Sequence, residues 1–76
     1  MIDNNATIQV KGMRCDDCVR RVAESLLGVE GVDDVEVDLE RGEARVQLNE
    51  NEPAERDELE RAVADAGFVA DRVEMP

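Results

Sequence analysis

The chain has no histidine, no tryptophan and no tyrosine, and it has a single phenylalanine, one lysine, two prolines and two cysteines. With no histidine and only one cysteine pair, a single copy cannot assemble the four nitrogen and sulfur ligands that close a structural zinc site. Positive charge is also scarce, with nine basic residues against twenty acidic ones for a net charge of -11. Nucleic acid and anionic membrane surfaces are therefore poor partners, because affinity for either rests on clustered cations. Long apolar runs are missing as well, and Met1-Ile2-Asp3-Asn4-Asn5 lacks the basic and apolar regions of a secretory signal. The expectation is a cytoplasmic protein without a membrane-inserted segment. Length sets a further bound. Seventy-six residues make one small domain, 1–76 with its core at about 6–74, and leave no room for an enclosed cleft. A binding module or carrier is expected, not an enzyme. The acidic excess reads as a solvated surface that keeps the protein dissolved, a composition also common in salt-rich sources.

What the chain does have is concentrated in Gly12-Met13-Arg14-Cys15-Asp16-Asp17-Cys18, which holds both cysteines. In a reducing compartment, two cysteines at this spacing are metal ligands or a redox pair more readily than a structural disulfide. They follow a strand-like run and open an amphipathic helix. The unpaired N–H groups of a helix start carry partial positive charge and lower the pKa of a nearby thiol, here above all Cys18. Asp16 or Asp17 is expected to cap that helix, while both carboxylates push the thiol pKa values upward. Met13 is apolar in a polar loop and is expected to plug the core beneath it. Lys11, Arg14, Arg20 and Arg21 all fall on or beside the loop and form a locally basic rim, which either steers an acidic partner to the site or balances the two thiolates and the Asp16-Asp17 pair.

Ala6 to Lys11 alternates as a half-buried strand with Ile8 and Val10 facing inward. Val19, Val22, Ala23, Leu26 and Leu27 fall at i, i+3, i+4, i+7 and i+8, an apolar helical stripe with Arg20, Arg21, Glu24 and Ser25 turned to water, and Gly28 ends it. Val32 to Leu39 and Ala44 to Leu48 read as a hairpin around the glycine-containing turn Glu40-Arg41-Gly42-Glu43. Pro53 suits the first position of a second helix whose apolar set is Leu59, Ala62, Val63 and Ala66, with Gly67 as its stop. Phe68 to Glu74 closes the chain as an edge strand. The order gives an α+β, ferredoxin-like βαββαβ sandwich, a four-stranded antiparallel sheet with two helices on one face.

Gly12-Met13-x-Cys15-x-x-Cys18 after a first strand, together with Gly31-Val32 and Ala66-Gly67-Phe68, resembles the heavy-metal-associated domain family, and the resemblance spans essentially the whole chain. That family includes copper chaperones, N-terminal modules of metal-pumping P-type ATPases, and mercury-binding proteins. The resemblance implies that Cys15 and Cys18 bind one soft ion, most often Cu(I), and pass it to a similar pair on a partner such as a metal-transporting ATPase. It also implies that Phe68 lies where a residue of the last loop approaches the metal, while simple core packing by the single phenylalanine is an equal reading. The initiating Met1 and a folded unit filling the chain favour a free-standing chaperone over an excised ATPase module.

Ligand chemistry agrees independently, since thiolates select Cu(I) or another soft ion over Mg²⁺ or Ca²⁺, and two of them satisfy a near-linear centre with open flanks. Zn²⁺ or Cd²⁺ stays open if Asp16 or Asp17 adds an oxygen ligand, and so does Hg²⁺, which is content with two thiolates. Two such loops can also share one ion in a metal-bridged dimer, although a monomer is the base expectation. A thiol-disulfide oxidoreductase is the rival from another class. Against it, no proline or tryptophan flanks the pair, and the larger thioredoxin-like pattern is absent.

Overall fold

Alternation along the first strand decides where the core lies. In β1 (Asn5–Lys11), Ala6, Ile8 and Val10 are buried while Thr7 and Gln9 are half-exposed on the other face. The same alternation buries Ala44, Val46 and Leu48 of β3 (Glu43–Leu48). Between and after these come α1 (Asp16–Leu27), β2 (Val32–Asp38), α2 (Arg56–Asp65) and β4 (Val69–Glu74). The computed structural model describes residues 4–76, so Met1 to Asp3, and with them the first residues of the segment read as lacking a secretory signal, lie outside the described residues.

All pairings are antiparallel and the strand order is β2-β3-β1-β4, with β1 in the centre and β4 at an edge as expected. Val22 and Leu26 of α1 and Leu59, Ala62 and Val63 of α2 join the inward residues of the sheet in one apolar cluster. Both helices therefore cover one face, and the fold is the βαββαβ ferredoxin-like sandwich. Among the described residues, no helix is long and apolar enough to cross a membrane.

Several local expectations give way to tertiary context. Leu27 continues the apolar stripe by spacing yet is 49% exposed, while Leu26 beside it is fully buried, so the buried face of α1 is narrower than the stripe. Ser25, expected to face water, instead donates to the Ala62 carbonyl at 2.5 Å and ties the two helices together. The second helix starts at Arg56, not Pro53, and Glu55 caps it as part of a capping box in which the Glu58 carboxylate accepts from the Glu55 N–H at 3.5 Å. The delay has a cause in the preceding loop. Ala54 is buried and its N–H donates to the Gly31 carbonyl at 3.3 Å, which holds the chain extended for one more step. Ala66 is the C-cap and only half-buried, and Leu39 falls just beyond β2 at 37% exposure. Phe68 belongs to the loop before β4 and not to the strand itself.

Among the described residues no polar or charged side chain is buried, and every ion pair involves an exposed cation. Such pairs stabilise little, so the net charge of -11 acts chiefly as self-repulsion. The molecule measures 33 × 21 × 18 Å. The screening length is about 30 Å at 0.01 M salt and about 3 Å at 1 M, so at low salt nearly every charge feels every other. Raising NaCl from about 0.01 M to about 1 M is therefore expected to raise the thermal midpoint by several degrees, as followed by circular dichroism. An unchanged midpoint would show that the acidic surface is not under repulsive load.

Candidate metal centre

The loop between β1 and α1 is fixed at both ends by features that the sequence dictates. Lys11 pairs with Val69 at the start of β4, so the loop emerges beside the segment that carries Phe68. Gly12 lies against that ring, and a Cβ placed on it would sit 3.4 Å from Phe68 Cδ1. On the other flank, the Val10 N–H donates to the Gly42 carbonyl at 2.8 Å, which brings the β2–β3 turn to the same end of the molecule. Met13 turns inward and is 8% exposed within the core cluster. It plugs the core beneath the loop, as its apolar character in a polar stretch suggests. The loop thus stands on a packed base while its polar residues face water.

Cys15, not Asp16 or Asp17, caps α1. Its backbone is extended, its sulfur accepts from the Cys18 N–H at 3.2 Å, and its carbonyl takes the Val19 N–H at 3.1 Å. The two aspartates occupy the first helical positions, where they complement the dipole but are exposed. Cysteine sits where serine or threonine commonly caps, three residues before the N–H it satisfies. That spacing was the available signal, and the stronger intrinsic capping preference of aspartate masks it.

Both cysteines are free, Cys15 exposed and Cys18 half-buried. Their sulfurs stand 2.6 Å apart in a thiol-to-sulfur hydrogen bond. This bond separates the two titrations. Cys15 is raised above the ordinary thiol value, chiefly by its bond with Cys18. Cys18 is held below that value, first by the same bond from Cys15, then by the Arg14 backbone, with a smaller contribution from the Arg21 guanidinium. The expected rise therefore falls on Cys15 alone, and its chief cause is the bond with Cys18 and not the carboxylates of Asp16 and Asp17.

Among the described residues, no group of three or more histidine, cysteine, aspartate or glutamate side chains converges on a point suited to a metal. The structure brings Cys15 and Cys18 together and does not gather Asp16 or Asp17 with them into a larger ligand set. What remains is a two-sulfur site on a projecting loop with open flanks. Lys11 is exposed and pairs with Asp71 at 3.4 Å. Arg14, Arg20 and Arg21 are exposed and, among the described residues, have no ion-pair partner.

The model of the heavy-metal-associated domain matches residues 7–68. A copper chaperone CopZ from Staphylococcus haemolyticus is 36% identical over 64 residues, spanning 84% of this chain and 93% of that protein. The periplasmic component of a mercuric transport protein from Shigella flexneri is 40% identical over 62 residues, 82% of this chain and 67% of the relative. Among solved structures, a copper-binding domain from HMA7, a P-type ATPase, superposes with a TM-score of 0.78 at 30% identity and covers 96% of this chain and 93% of that one. The likeness is to binding domains rather than to enzymes.

Proposed function

The chain belongs to the heavy-metal-associated domain family, and on that premise we propose that it carries one Cu(I) ion between Cys15 and Cys18 and hands it to a thiolate pair on a partner. The observation that carries this reading is the pair of free sulfurs facing each other on an exposed loop, with no cysteine, histidine or carboxylate gathered beside them as a third donor among the described residues. Sulfur is a soft ligand and favours a soft ion. At metal–sulfur bonds of about 2.3 Å, a near-linear centre needs its sulfurs about 4.6 Å apart. Loading therefore breaks the bond between the two sulfurs, releases the proton of each cysteine that is still a thiol, and moves the sulfurs apart. Cys15, being exposed, has the freedom to make that move.

An ion held by two ligands accepts a third from outside. A partner thiolate approaches the open flank, a three-sulfur arrangement forms, and one of the original sulfurs leaves. The metal changes hands without passing through water. The basic residues Lys11, Arg14, Arg20 and Arg21 lie around the approach and suit an acidic partner surface. The partner class that fits is a metal-transporting P-type ATPase or another protein with an open cysteine pair, and the setting that fits is the cytoplasm, where thiols stay reduced. Met13 supports the loop from below, and the ring of Phe68 covers one side of it.

Hg²⁺ is the competing cargo, because two thiolates also satisfy it and one relative is a mercuric transport protein. The deciding experiment is an anaerobic competition titration of the reduced protein with Cu(I), Zn²⁺ and Hg²⁺, read by mass spectrometry and thiolate-metal absorption. One Cu(I) per chain, retained against a Cu(I) chelator and not displaced by Zn²⁺, is the expected result. Preference for Zn²⁺ would bring Asp16 or Asp17 into the site. Failure to bind any of the three would end the carrier reading and favour redox chemistry at the pair.

A further inference from the structure

We propose that Arg21 sets the charge preference of the Cys15–Cys18 site, favouring a monovalent soft cation over a divalent one. The inference rests on the carrier reading above and names a residue outside the ligand pair that tunes it. Cys18 is the third residue of α1 and Arg21 follows three positions later. Residues at i and i+3 share one helix face, with Cβ atoms about 5–6 Å apart, so Arg21 projects from the same face of α1 as Cys18.

The use made of the other cations sharpens the point. Lys11, Arg41, Arg45, Arg56 and Arg72 each pair with a carboxylate. Among the described residues, Arg14, Arg20, Arg21 and Arg61 do not. In a chain with twenty acidic residues, an arginine one turn from the ligand pair is left with its charge unspent, although Asp17 lies four positions before it on the same helix. The last loop supplies no cation of its own at this point, because Phe68 stands against Gly12.

Charge arithmetic turns this placement into selectivity. Two thiolates around a monovalent ion form a unit of net charge -1, whereas around a divalent ion the unit is neutral. Asp16 and Asp17 disfavour the anionic unit and leave the neutral one little affected. Arg21 favours the anionic unit and likewise leaves the neutral one little affected. A unit charge at this range near a protein surface is expected to change the affinity for a monovalent ion about fivefold, and reversing its sign about twentyfold.

The test compares Arg21→Gln, Arg21→Glu and Arg61→Glu with the parent protein, measuring Cu(I) affinity by chelator competition and Zn²⁺ affinity under the same conditions. The readout is the ratio of the two affinities, in which any change in the cost of ionising the thiols cancels. The ratio is expected to fall about fivefold in Arg21→Gln and about twentyfold in Arg21→Glu. Arg61→Glu makes the same change in net charge from α2 and is expected to leave the ratio within about twofold. Equal falls in Arg21→Glu and Arg61→Glu would overturn the proposal in favour of overall charge, and an unchanged ratio in both Arg21 variants would overturn it outright. A parent protein that binds no Cu(I) would remove the carrier reading itself. Far-UV circular dichroism of each variant establishes that α1 is intact.

Discussion

Replacing both Cys15 and Cys18 with serine is expected to abolish soft-metal binding while leaving the domain folded. Serine exchanges two polarisable thiolates for hard hydroxyls that stay protonated at neutral pH, so affinity for Cu(I) falls below detection in mass spectrometry. Neither side chain belongs to the set of fully buried residues that fill the core. The cap at the start of α1 survives too, because a serine oxygen at position 15 accepts the Cys18-position N–H as the sulfur does now. Stability measured by urea unfolding is expected to stay within about 1 kcal/mol of the parent. Alanine at position 15 removes the cap and is expected to cost about 1 kcal/mol more than serine there. Extensive unfolding of the double serine variant would show a structural site, and retained tight Cu(I) binding would place the ligands elsewhere.

Gly31→Ala is expected to produce the largest loss of stability from a single small change. Gly31 has φ +100, and a Cβ there would stand 2.5 Å from the Ala54 nitrogen and 2.6 Å from the Glu52 carbonyl oxygen. These are backbone atoms, so no rotamer change relieves the overlap. The Gly31 carbonyl also accepts from Asn49 and Ala54, at 2.9 and 3.3 Å, and bolts the loop before α2 onto the start of β2. Moving the loop away breaks those bonds and lifts Ala54 out of the core. Left-handed backbone strain together with the lost contacts is expected to cost at least about 3 kcal/mol. A chain of this length has roughly 4–11 kcal/mol in total. Gly67→Ala is the matched comparison, since its φ is +95 but nothing lies within 4 Å of the added Cβ. It carries the backbone term without the clash and is expected to lose no more than about half as much in urea unfolding. Equal losses would show that strain alone governs Gly31.

The strand alternation of Ile8 and Val10, of Val46 and Leu48, and the helical spacing of Val22 with Leu26 and Leu59 with Val63 were legible because burial on one face leaves a periodic trace in the chain. The cysteine pair was legible because CxxC at a strand-to-helix boundary has few other uses. What was not legible depends on neighbours distant in sequence. Leu27 follows the apolar spacing but is left half-exposed beside the buried Leu26. The start of α2 is delayed because Ala54 is held by Gly31, and Pro53 carries no sign of that constraint. The capping role of Cys15 was hidden behind two aspartates that are better caps in isolation but stand one and two residues too late to satisfy the Cys18 N–H.

The sequence by itself determined the order of strands and helices, the faces they bury and the presence of a cysteine pair at a strand-to-helix boundary, because these follow from side-chain chemistry and local period. The tertiary structure decided which end of the sheet presents the site, that Phe68 and the Gly42 turn flank it, and that Asp16 and Asp17 do not gather with the sulfurs into a larger ligand set. It also decided which arginines keep an unpaired charge. Those outcomes depend on strand register and on the approach of segments dozens of residues apart, and neither leaves a local mark in the chain.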